Sequence, residues 1–254
     1  MSFESSLSGI NAASQKLDVI GANVANAETV GFKETTARFA DIYAGRVGSG
    51  QVGAGSMDVN LSQQFGQGGI KSSGNVLDVA ISGRGFFQVM NSDGSSSYTR
   101  NGQFHVDQNS FLVTSEGDKV MGANGPIQID MERYGNSLRI SPEGLIQGSD
   151  GKADATGNLL VQNIGSIPLH TFRNIDGMVS IGDNKWESST AAGAEVSGIP
   201  GDGILGVLQA GATEDSNVDM NGNLVNMIIA QREFQGNSQI LKIQNEMDLS
   251  LAKL

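Results

Sequence analysis

The two ends of the chain constrain its fold more than any other feature, because each is a long segment with apolar residues at helical spacing. In the first segment the intervals are 4, 3, 7 and 7, and the residues are Phe3, Leu7, Ile10, Leu17 and Val24. The second segment repeats this rhythm twice, at Met220, Leu224, Met227 and Phe234 and at Ile240, Ile243, Met247 and Leu254. Such intervals place side chains on one stripe of a helix, and the stripe needs a partner. Two terminal helices can bury each other or the same helices of other copies, which favours a subunit of an assembly over an enzyme.

The region between the two ends predicts β-structure. The first helix is predicted over residues 3–27 with Ser2 as its N-cap and Asn23 among the residues that end it, and the last helix over 221–253 behind a turn at 215–217. From residue 76 onward, short alternating apolar runs are separated by glycines and by Asp-Gly or Asn-Gly turns, which is typical of antiparallel strands. Strands are predicted at 76–81, 86–89, 104–106, 111–114, 127–129, 138–140, 145–147, 159–161, 167–172 and 204–209, and loops at 148–158 and 184–202.

These elements predict an α+β fold in which N- and C-terminal helices pair as a coiled coil, with a mainly antiparallel β domain between them. Residues 1–31 and 215–254 form the helical domain in this prediction, and residues 76–214 form the β domain. Residues 32–75 are an extended Gly-rich connector, in which 32–44 form an extended arm with a short helical piece and 45–75 form a weakly structured connection. The alternative is a helix pair that closes only over its own domain. Against that alternative, the β region has its own alternation and needs no cover.

Composition narrows the function classes. The formal charge is −11, which disfavours nucleic acid and anionic membranes as partners because both need a basic face. The chain has no cysteine, so disulfides and thiol chemistry are excluded. It has no run of about 18 apolar residues, which predicts no membrane insertion. The N-terminus lacks a basic and an apolar signal region, which predicts a cytoplasmic protein unless export needs no cleaved signal.

The histidines do not predict catalysis. His105 and His170 fall in separate strands, with no acidic triad expected around either, so ordinary strand positions are predicted. The match of residues 201–206 to G-x-G-x-x-G precedes a strand instead of opening a helix, and it does not predict nucleotide binding.

Other polar and aromatic residues have plain structural interpretations. The turn aspartates Asp93, Asp107, Asp150 and Asp202 lack the spacing of a calcium loop, and turn aspartates usually bind their own backbone. Trp186, the one tryptophan, predicts a core or interface anchor. We therefore predict no enzyme, no cofactor and no metal site. An adhesin-like binding module is the other class considered, and it would keep both termini ordered in a monomer.

The terminal helices supply the candidate site, which is a subunit interface. Ile20, Ile229 and Leu249 lie off the main stripe, so the outer face of the pair is expected to stay partly apolar, as association surfaces are. The predicted interface residues are Leu7, Ile10, Leu17, Ile20, Val24, Leu224, Met227, Ile228, Phe234, Ile240, Ile243 and Met247.

Several multi-residue motifs resemble those of bacterial flagellar rod and hook proteins. Near the N-terminus they are Ser8-Gly-Ile-Asn-Ala-Ala, Leu17-Asp-Val-Ile-Gly-Ala-Asn-Val-Ala-Asn-Ala and Thr29-Val-Gly-Phe-Lys33. In the middle they are Leu77-Asp-Val-Ala-Ile-Ser-Gly-Arg-Gly-Phe-Phe87 and Tyr98-Thr-Arg-Asn-Gly-Gln-Phe104. Near the C-terminus they are Ser216-Asn-Val-Asp, Leu224-Val-Asn-Met-Ile and Ala230-Gln-Arg. The likeness covers both ends and the first half of the middle, in order.

The resemblance implies a structural subunit of the flagellar axial tube. Its terminal helices would form an inner domain that lines the export channel, fold on assembly, and contact the same helices of other copies. It implies export by the flagellar export apparatus without a cleaved signal, and neighbouring rod, hook or junction proteins as partners. Residues 37–45 and 225–235 resemble a hook subunit, and residues 120–127 resemble a proximal rod subunit. We expect a compact hook subunit outside the cell, with a periplasmic rod subunit as the alternative.

Overall fold

The protein has an α+β fold. One long helix lies near each end of the chain, and antiparallel strands make up most of the chain between them. A computed structural model describes residues 3–43, 53–135, 137–153 and 159–251. In chain order the elements are α1 (Phe3–Ala25), β1 (Thr35–Tyr43), β2 (Gly53–Gln63), β3 (Ile70–Ser72), β4 (Val79–Ser82), β5 (Phe87–Met90), β6 (Ser96–Thr99), β7 (Phe104–Val106), β8 (Leu112–Thr114), β9 (Lys119–Gly122), β10 (Gly125–Pro126), α2 (Met131–Tyr134), β11 (Arg139–Ile140), β12 (Leu145–Ala153), β13 (Leu159–Ser166), β14 (Leu169–Phe172), a 3-10 turn (Ile175–Gly177), β15 (Val179–Gly182), β16 (Lys185–Glu187), β17 (Glu195–Gly198), β18 (Val207–Ala210), β19 (Ala212–Glu214) and α3 (Met220–Leu251).

The chain divides into two compact units. The helical unit comprises Met1–Ala27, Glu34–Gln64 and Val218–Leu254, and the β unit comprises Glu28–Lys33 and Phe65–Asn217. The short segment that follows the first helix therefore belongs to the β unit, although the residues on both sides of it belong to the helical unit.

The helical unit contains α1, α3 and the antiparallel pair β1–β2. Helix α1 packs against α3, β1 and β2. Both long helices are confirmed to within two residues of their predicted bounds. The first turn of α3 is capped by Asp219 and not by a residue of the predicted turn at 215–217. The Asp219 carboxylate accepts the N–H of Asn221 at 3.1 Å. An acceptor here satisfies one of the free N–H groups of the first turn.

The expectation that residues 45–75 are weakly structured is wrong over β2 and β3, and the strand β1 takes the place of the short helical piece expected within 32–44. β1 and β2 pair in register from Thr35 opposite Gln63 to Phe39 opposite Val59. Met57, Val59 and Leu61 alternate with polar residues in β2, but the glycines and serines of this strand weaken the signal. The backbone of each strand is satisfied by its distant partner, and local sequence does not reveal that pairing.

The β unit is built around one large sheet with the strand order β15-β16-β6-β5-β9-β8-β7, and β10 pairs with β9. Strands β11, β12 and β13 form a second sheet, and three separate pairs join β14 to β17, β18 to β4 and β19 to β3. Every strand pair is antiparallel, as predicted; the pairs are β1–β2, β3–β19, β4–β18, β5–β6, β5–β9, β6–β16, β7–β8, β8–β9, β9–β10, β11–β12, β12–β13, β14–β17 and β15–β16.

Three details of the predicted β region are wrong. The loop predicted over 184–202 contains β16 and β17, and the loop predicted over 148–158 begins as part of β12, with Gly148 opposite Gln162. The strand predicted at 127–129 is only an isolated bridge between Gln128 and Phe111. In each case the pairing between segments decided the structure, and local alternation does not show that pairing.

The apolar core of the β unit consists of two clusters of buried side chains. A large cluster includes Ile81, Phe87, Leu112, Ile146 and Leu169, all of which are fully buried. A second, aromatic cluster surrounds Trp186, which is also fully buried. The Trp186 ring meets the rings of Phe65 and Phe86 edge-on, with centroids 5.6 Å apart in each pair. The prediction that Trp186 anchors a core is confirmed.

Candidate assembly surface

Within the helical unit, α1 and α3 lie side by side and run in opposite directions. Three contacts fix the pairing along its length: Gly9 with Asn237, Lys16 with Glu233, and Asn23 with Asn223. A Cβ atom on Gly9 would lie 2.7 Å from Nδ2 of Asn237, so the absence of a side chain permits close approach. The Lys16–Glu233 ion pair, at 3.1 Å, is exposed and therefore adds little stability.

The end of α1 is joined to the start of α3 by a buried polar network. The Asn23 amide donates to the carbonyl of Thr35 at 2.7 Å, and its oxygen accepts the Thr35 N–H at 3.0 Å. The same amide group lies 3.5 Å from Oδ1 of Asn223. The Asn223 amide donates to Glu34 at 2.8 Å and to the Asp219 carbonyl at 2.9 Å. Asn23 thus lies inside α1 and links segments, which corrects its predicted role as a helix-ending residue.

The buried positions of both helices follow a repeat of alternating three and four residues. In α1 this row is buried or half-buried throughout, and it consists of Ser6, Ile10, Ala13, Leu17, Ile20 and Val24. In α3 the corresponding row is Asn223, Met227, Ala230, Phe234, Asn237, Leu241 and Gln244, of which only Phe234 is exposed. We call these two rows the seam. Small and polar residues occupy much of it, and Ala230 is fully buried.

The structure separates the twelve predicted interface residues into two sets. Six belong to the seam, namely Ile10, Leu17, Ile20, Val24, Met227 and Phe234, and Ile240 adjoins it as a half-buried neighbour. Ile20 is 6% exposed, which corrects its expected position on the outer face. The other five are exposed, and they are Leu7, Leu224, Ile228, Ile243 and Met247. Ile229 and Leu249 are exposed as predicted.

The exposed apolar side chains of α3 form a second feature of the helical unit. Large apolar residues at about 40–60% exposure recur from one end of this helix to the other; they are Met220, Leu224, Val225, Ile228, Ile229, Ile243, Met247 and Leu249. We call this set the α3 outer face. The sequence analysis predicted four of these residues as interface residues and placed Ile229 and Leu249 off the main stripe, but it did not separate this face from the seam. Exposed apolar area of this extent is typical of an association surface.

A buried charge cluster in the β unit was not predicted. The Lys33 ammonium lies 2.7 Å from Oε1 of Glu214, and Nη1 of Arg100 lies 3.1 Å from Oε2. Lys33 also donates to the carbonyl of Gly66 at 2.8 Å. All three side chains are almost fully buried, and burial lowers the pKa of both Lys33 and Arg100 despite the attraction of Glu214. Lys33 and Arg100 belong to the motifs noted in the sequence, and the fold brings them together on one carboxylate.

The two histidines differ in their surroundings. His105 is exposed in β7, whereas His170 is buried in β14 with its Nδ1 against the carboxylate of Glu195 on β17. Cross-strand pairing thus gives His170 one acidic neighbour, Glu195, which the sequence did not predict. Burial and the same Glu195 raise the pKa of Tyr98, whose ring centroid is 5.9 Å from that of His170.

Two of the aspartates predicted in turns, Asp93 and Asp107, have local hydrogen-bond partners. Asp93 accepts the N–H of Ser95 at 2.8 Å, and Asp107 accepts the N–H of Phe111 at 2.7 Å, so both bind local backbone as predicted. The pKa of the Asp93 carboxyl is lowered first by the hydroxyl of Ser95 and then by the N–H of the same residue. The pKa of Asp107 is lowered chiefly by the N–H of Phe111. Among the residues that the structure describes, no cluster of three or more metal-ligating side chains occurs. No described helix is long and apolar enough to cross a membrane.

Three family models match successive parts of the chain. The flagella basal body rod protein model matches residues 3–33, the flagellar hook protein FlgE/F/G D1 domain matches residues 80–148, and the flagellar basal body rod FlgEFG protein C-terminal model matches residues 209–254. The first includes α1, the last includes all of α3, and the middle one lies in the β unit.

Two kinds of relative match over nearly the whole chain. The flagellar basal-body rod protein FlgG of Bacillus subtilis (strain 168) is 36% identical, with 100% of this chain and 98% of the relative covered. FlgG of Borreliella burgdorferi is 35% identical over 94% of this chain and 93% of the relative. The flagellar hook protein FlgE of Salmonella typhimurium is 28% identical, with 100% of both chains covered.

The chain belongs to the flagellar rod and hook protein family. Members of this family are structural components of the flagellum, and its relatives here are named as basal-body rod and hook proteins.

Proposed function

We propose that this protein is a structural subunit of the flagellar axial tube, and that it polymerises with other copies through α1 and α3. The observation that carries the proposal is the α3 outer face, where eight large apolar side chains remain exposed after α3 has packed against α1. A monomer gains nothing from this exposure, whereas neighbouring copies would bury the face and stabilise the contact.

The pairing of α1 with α3 is proposed to be a coiled coil. Its support is the seam, because alternation of three and four residues is the spacing at which two helices stay in register over several turns. The buried Asn23 and Asn223 would then fix the register, since a polar pair inside a seam is satisfied in only one alignment. In the tube, this helical unit would form the inner layer that lines the channel, with the β unit outside it.

Within the family, we propose a rod subunit. The alignment with the Bacillus FlgG spans 271 positions and leaves almost nothing of either chain unmatched. The alignment with the Salmonella hook protein spans 406 positions, which exceeds the 254 residues of this chain by 152. This chain therefore lacks a large part of that hook protein but has the length of the rod proteins. A compact hook subunit, which the sequence motifs favoured, is the second candidate because the hook protein aligns with the entire chain.

The proposed partners and location follow from the proposed class. The subunit would contact other copies of itself and the rod, hook or junction proteins next to it. It would leave the cytoplasm through the flagellar export apparatus without a cleaved signal. A rod subunit would then lie in the periplasm, and a hook subunit outside the cell.

Deleting the gene and imaging purified basal bodies tests this proposal. A truncated rod is the expected result, and expression of the full chain should restore the complete structure. A complete rod that lacks only its hook would support the second candidate instead. A normal hook and basal body in the deletion strain would contradict both candidates.

A further inference from the structure

One cleft of the β unit, about 720 Å³ in volume, is lined by three arginines. Arg84 and Arg173 are exposed, whereas Arg100 is only 4% exposed. Asp176 also lines this arginine cleft, so three positive charges face one negative charge. The whole chain carries a charge of −11, and the cleft is therefore opposite in sign to the molecule that contains it.

The buried arginine has bonding capacity that the described chain does not use. Arg100 donates from Nη1 to Glu214 at 3.1 Å and from Nη2 to the carbonyl of Gly83 at 2.8 Å. Its Nε is buried and has no hydrogen-bond partner among the described residues. A buried donor without a partner is costly, and here it adds to an unbalanced charge, because Lys33 and Arg100 share the single carboxylate of Glu214.

The chemistry of the lining selects the kind of ligand. Guanidinium groups bind carboxylates through two parallel N–H···O bonds, and Arg84 and Arg173 are free of ion pairs within the described residues. Phe65 and Ile175 give the cleft apolar walls, and Ile204 lines it at 60% exposure. An acidic side chain next to apolar residues fits this mixture better than a free inorganic anion, which would leave the apolar walls uncovered.

We infer that the arginine cleft is a docking site for an exposed carboxylate of a second copy of this chain. Each copy has 27 acidic and 16 basic residues, so a neighbouring copy offers an excess of acidic surface. The docked carboxylate would offset the excess positive charge around Arg100. This inference rests on the proposed polymer, and it adds a contact through the β unit to those through α1 and α3.

Charge reversal in the full-length chain tests the docking site. Arg84→Glu with Arg173→Glu should raise the protein concentration needed for polymerisation at least tenfold, because two exposed cations become anions that repel a carboxylate. Arg84→Lys with Arg173→Lys keeps the charge and should polymerise within threefold of the unsubstituted chain. Lys71→Glu with Arg139→Glu makes the same change in net charge on exposed residues outside the cleft, and it controls for general repulsion. Fluorescence of Trp186 reports whether the β unit of each variant stays folded.

Crosslinking identifies the occupant. A photoreactive residue at position 204, in a polymer of mixed isotope-labelled and unlabelled copies, should join an acidic peptide of one copy to the cleft of another. Crosslinks only within a copy, or normal polymerisation of the double glutamate variant, would overturn the docking site and leave the proposed polymer intact. Retention of sulfate by the cleft without any crosslink between copies would also overturn it. Failure of the unsubstituted chain to polymerise at any concentration would contradict the proposed function itself, and the docking site with it.

Discussion

Glu214 is the residue on which the stability of the β unit depends most directly. Its two carboxylate oxygens bind Lys33 at 2.7 Å and Arg100 at 3.1 Å, and Oε1 also accepts the N–H of Gly68 at 2.9 Å. The carbonyl of the same residue accepts the N–H of Gly31 at 2.7 Å. Residues from four distant parts of the sequence therefore meet at one buried carboxylate.

Replacing Glu214 with glutamine should lower the free energy of unfolding of the β unit by about 3–5 kcal/mol, because two buried cations would lose their counter-charge. Urea unfolding followed by the fluorescence of Trp186, the single tryptophan, measures the change. Glu116→Gln, in an exposed turn, is the matched control and should stay within about 0.5 kcal/mol of the unsubstituted protein. A loss below about 1 kcal/mol for Glu214→Gln would show that the cluster is not a stabilising one.

Tyr98 should make the protein less stable in alkali. Its pKa is raised by burial and by Glu195 from an ordinary value of 10.0, so the folded state keeps the phenol proton that the unfolded state loses. The stabilisation is complete below pH 10 and is lost as the pH rises toward the folded-state pKa. Urea midpoints at pH 9 and pH 11 should therefore differ less in Tyr98→Phe than in the unsubstituted protein. An equal pH dependence in both proteins would contradict the assignment.

At the scale of elements, the segment before β3 approaches the segment before α3 very closely. A Cβ atom on Gly68 would lie 1.9 Å from the carbonyl oxygen of Asp215, which is a backbone atom and cannot move aside as a side chain can. The neighbouring Gly69 has open space around its Cα, and its carbonyl accepts the N–H of Asp215 at 2.7 Å. The two adjacent glycines thus differ in the space available to a side chain, so the same substitution can be compared at both positions.

Gly68→Ala should destabilise the β unit by about 2–4 kcal/mol, since the new methyl group would force the two segments apart and strain their hydrogen bonds. Gly69→Ala should be neutral or stabilising by up to about 1 kcal/mol, because it restricts only the unfolded chain. Thermal unfolding followed by near-UV circular dichroism compares the two. Similar midpoints for both variants would mean that the close approach does not constrain the fold.

The α3 outer face gives a prediction that separates assembly from folding. Ile228 is 53% exposed, so Ile228→Asp should leave the unfolding of the β unit unchanged while it prevents polymerisation. A charge placed on a face that other copies bury loses its water and finds no partner. Sedimentation of the full chain measures polymer. Asn226→Asp introduces the same charge at an exposed polar position and should still polymerise. Filaments of Ile228→Asp in electron micrographs would show that this face is not the association surface.

The helices could be predicted from sequence, but their faces could not. Helical periodicity is local, so α1 and α3 were located to within two residues. The seam, however, contains Ser6, Ala13 and Ala230, which a search for large apolar residues passes over. That search selects large residues of the α3 outer face together with those of the seam, because both sets are apolar. Only the packing of one helix on the other separates the two.

The strands were likewise predicted where the sequence pattern is local, and features that depend on distant segments were missed. Residues 104–106 alternate around a buried Phe104 and were predicted as they are. β15 was missed because all four of its residues are exposed, which leaves no alternation between a core and a solvent face. The cluster of Lys33, Arg100 and Glu214 was missed because its members are 67 or more residues apart, and nothing local pairs them.

At the scale of the whole molecule, the length of the chain bears on the mechanics of the polymer. The alignment with the Bacillus FlgG contains 17 more positions than this chain has residues, whereas the hook protein alignment contains 152 more. A tube that bends must let outer contacts slide as subunits on one side approach each other, and a tube with fixed contacts stays straight. If the arginine cleft binds a neighbouring copy, the β units would be fixed in this way.

The polymer of the purified full-length chain should therefore be a straight tube. Electron microscopy of negatively stained polymers measures the curvature directly, and the tubes should remain straight when pH and ionic strength are varied. The Arg84→Glu, Arg173→Glu variant, polymerised at higher concentration, is expected to give more flexible tubes, because the contact that holds neighbouring β units is weakened. Curved, compressible tubes from the unsubstituted chain would contradict the rod assignment and support the compact hook, while the family and the assembly through α1 and α3 would stand.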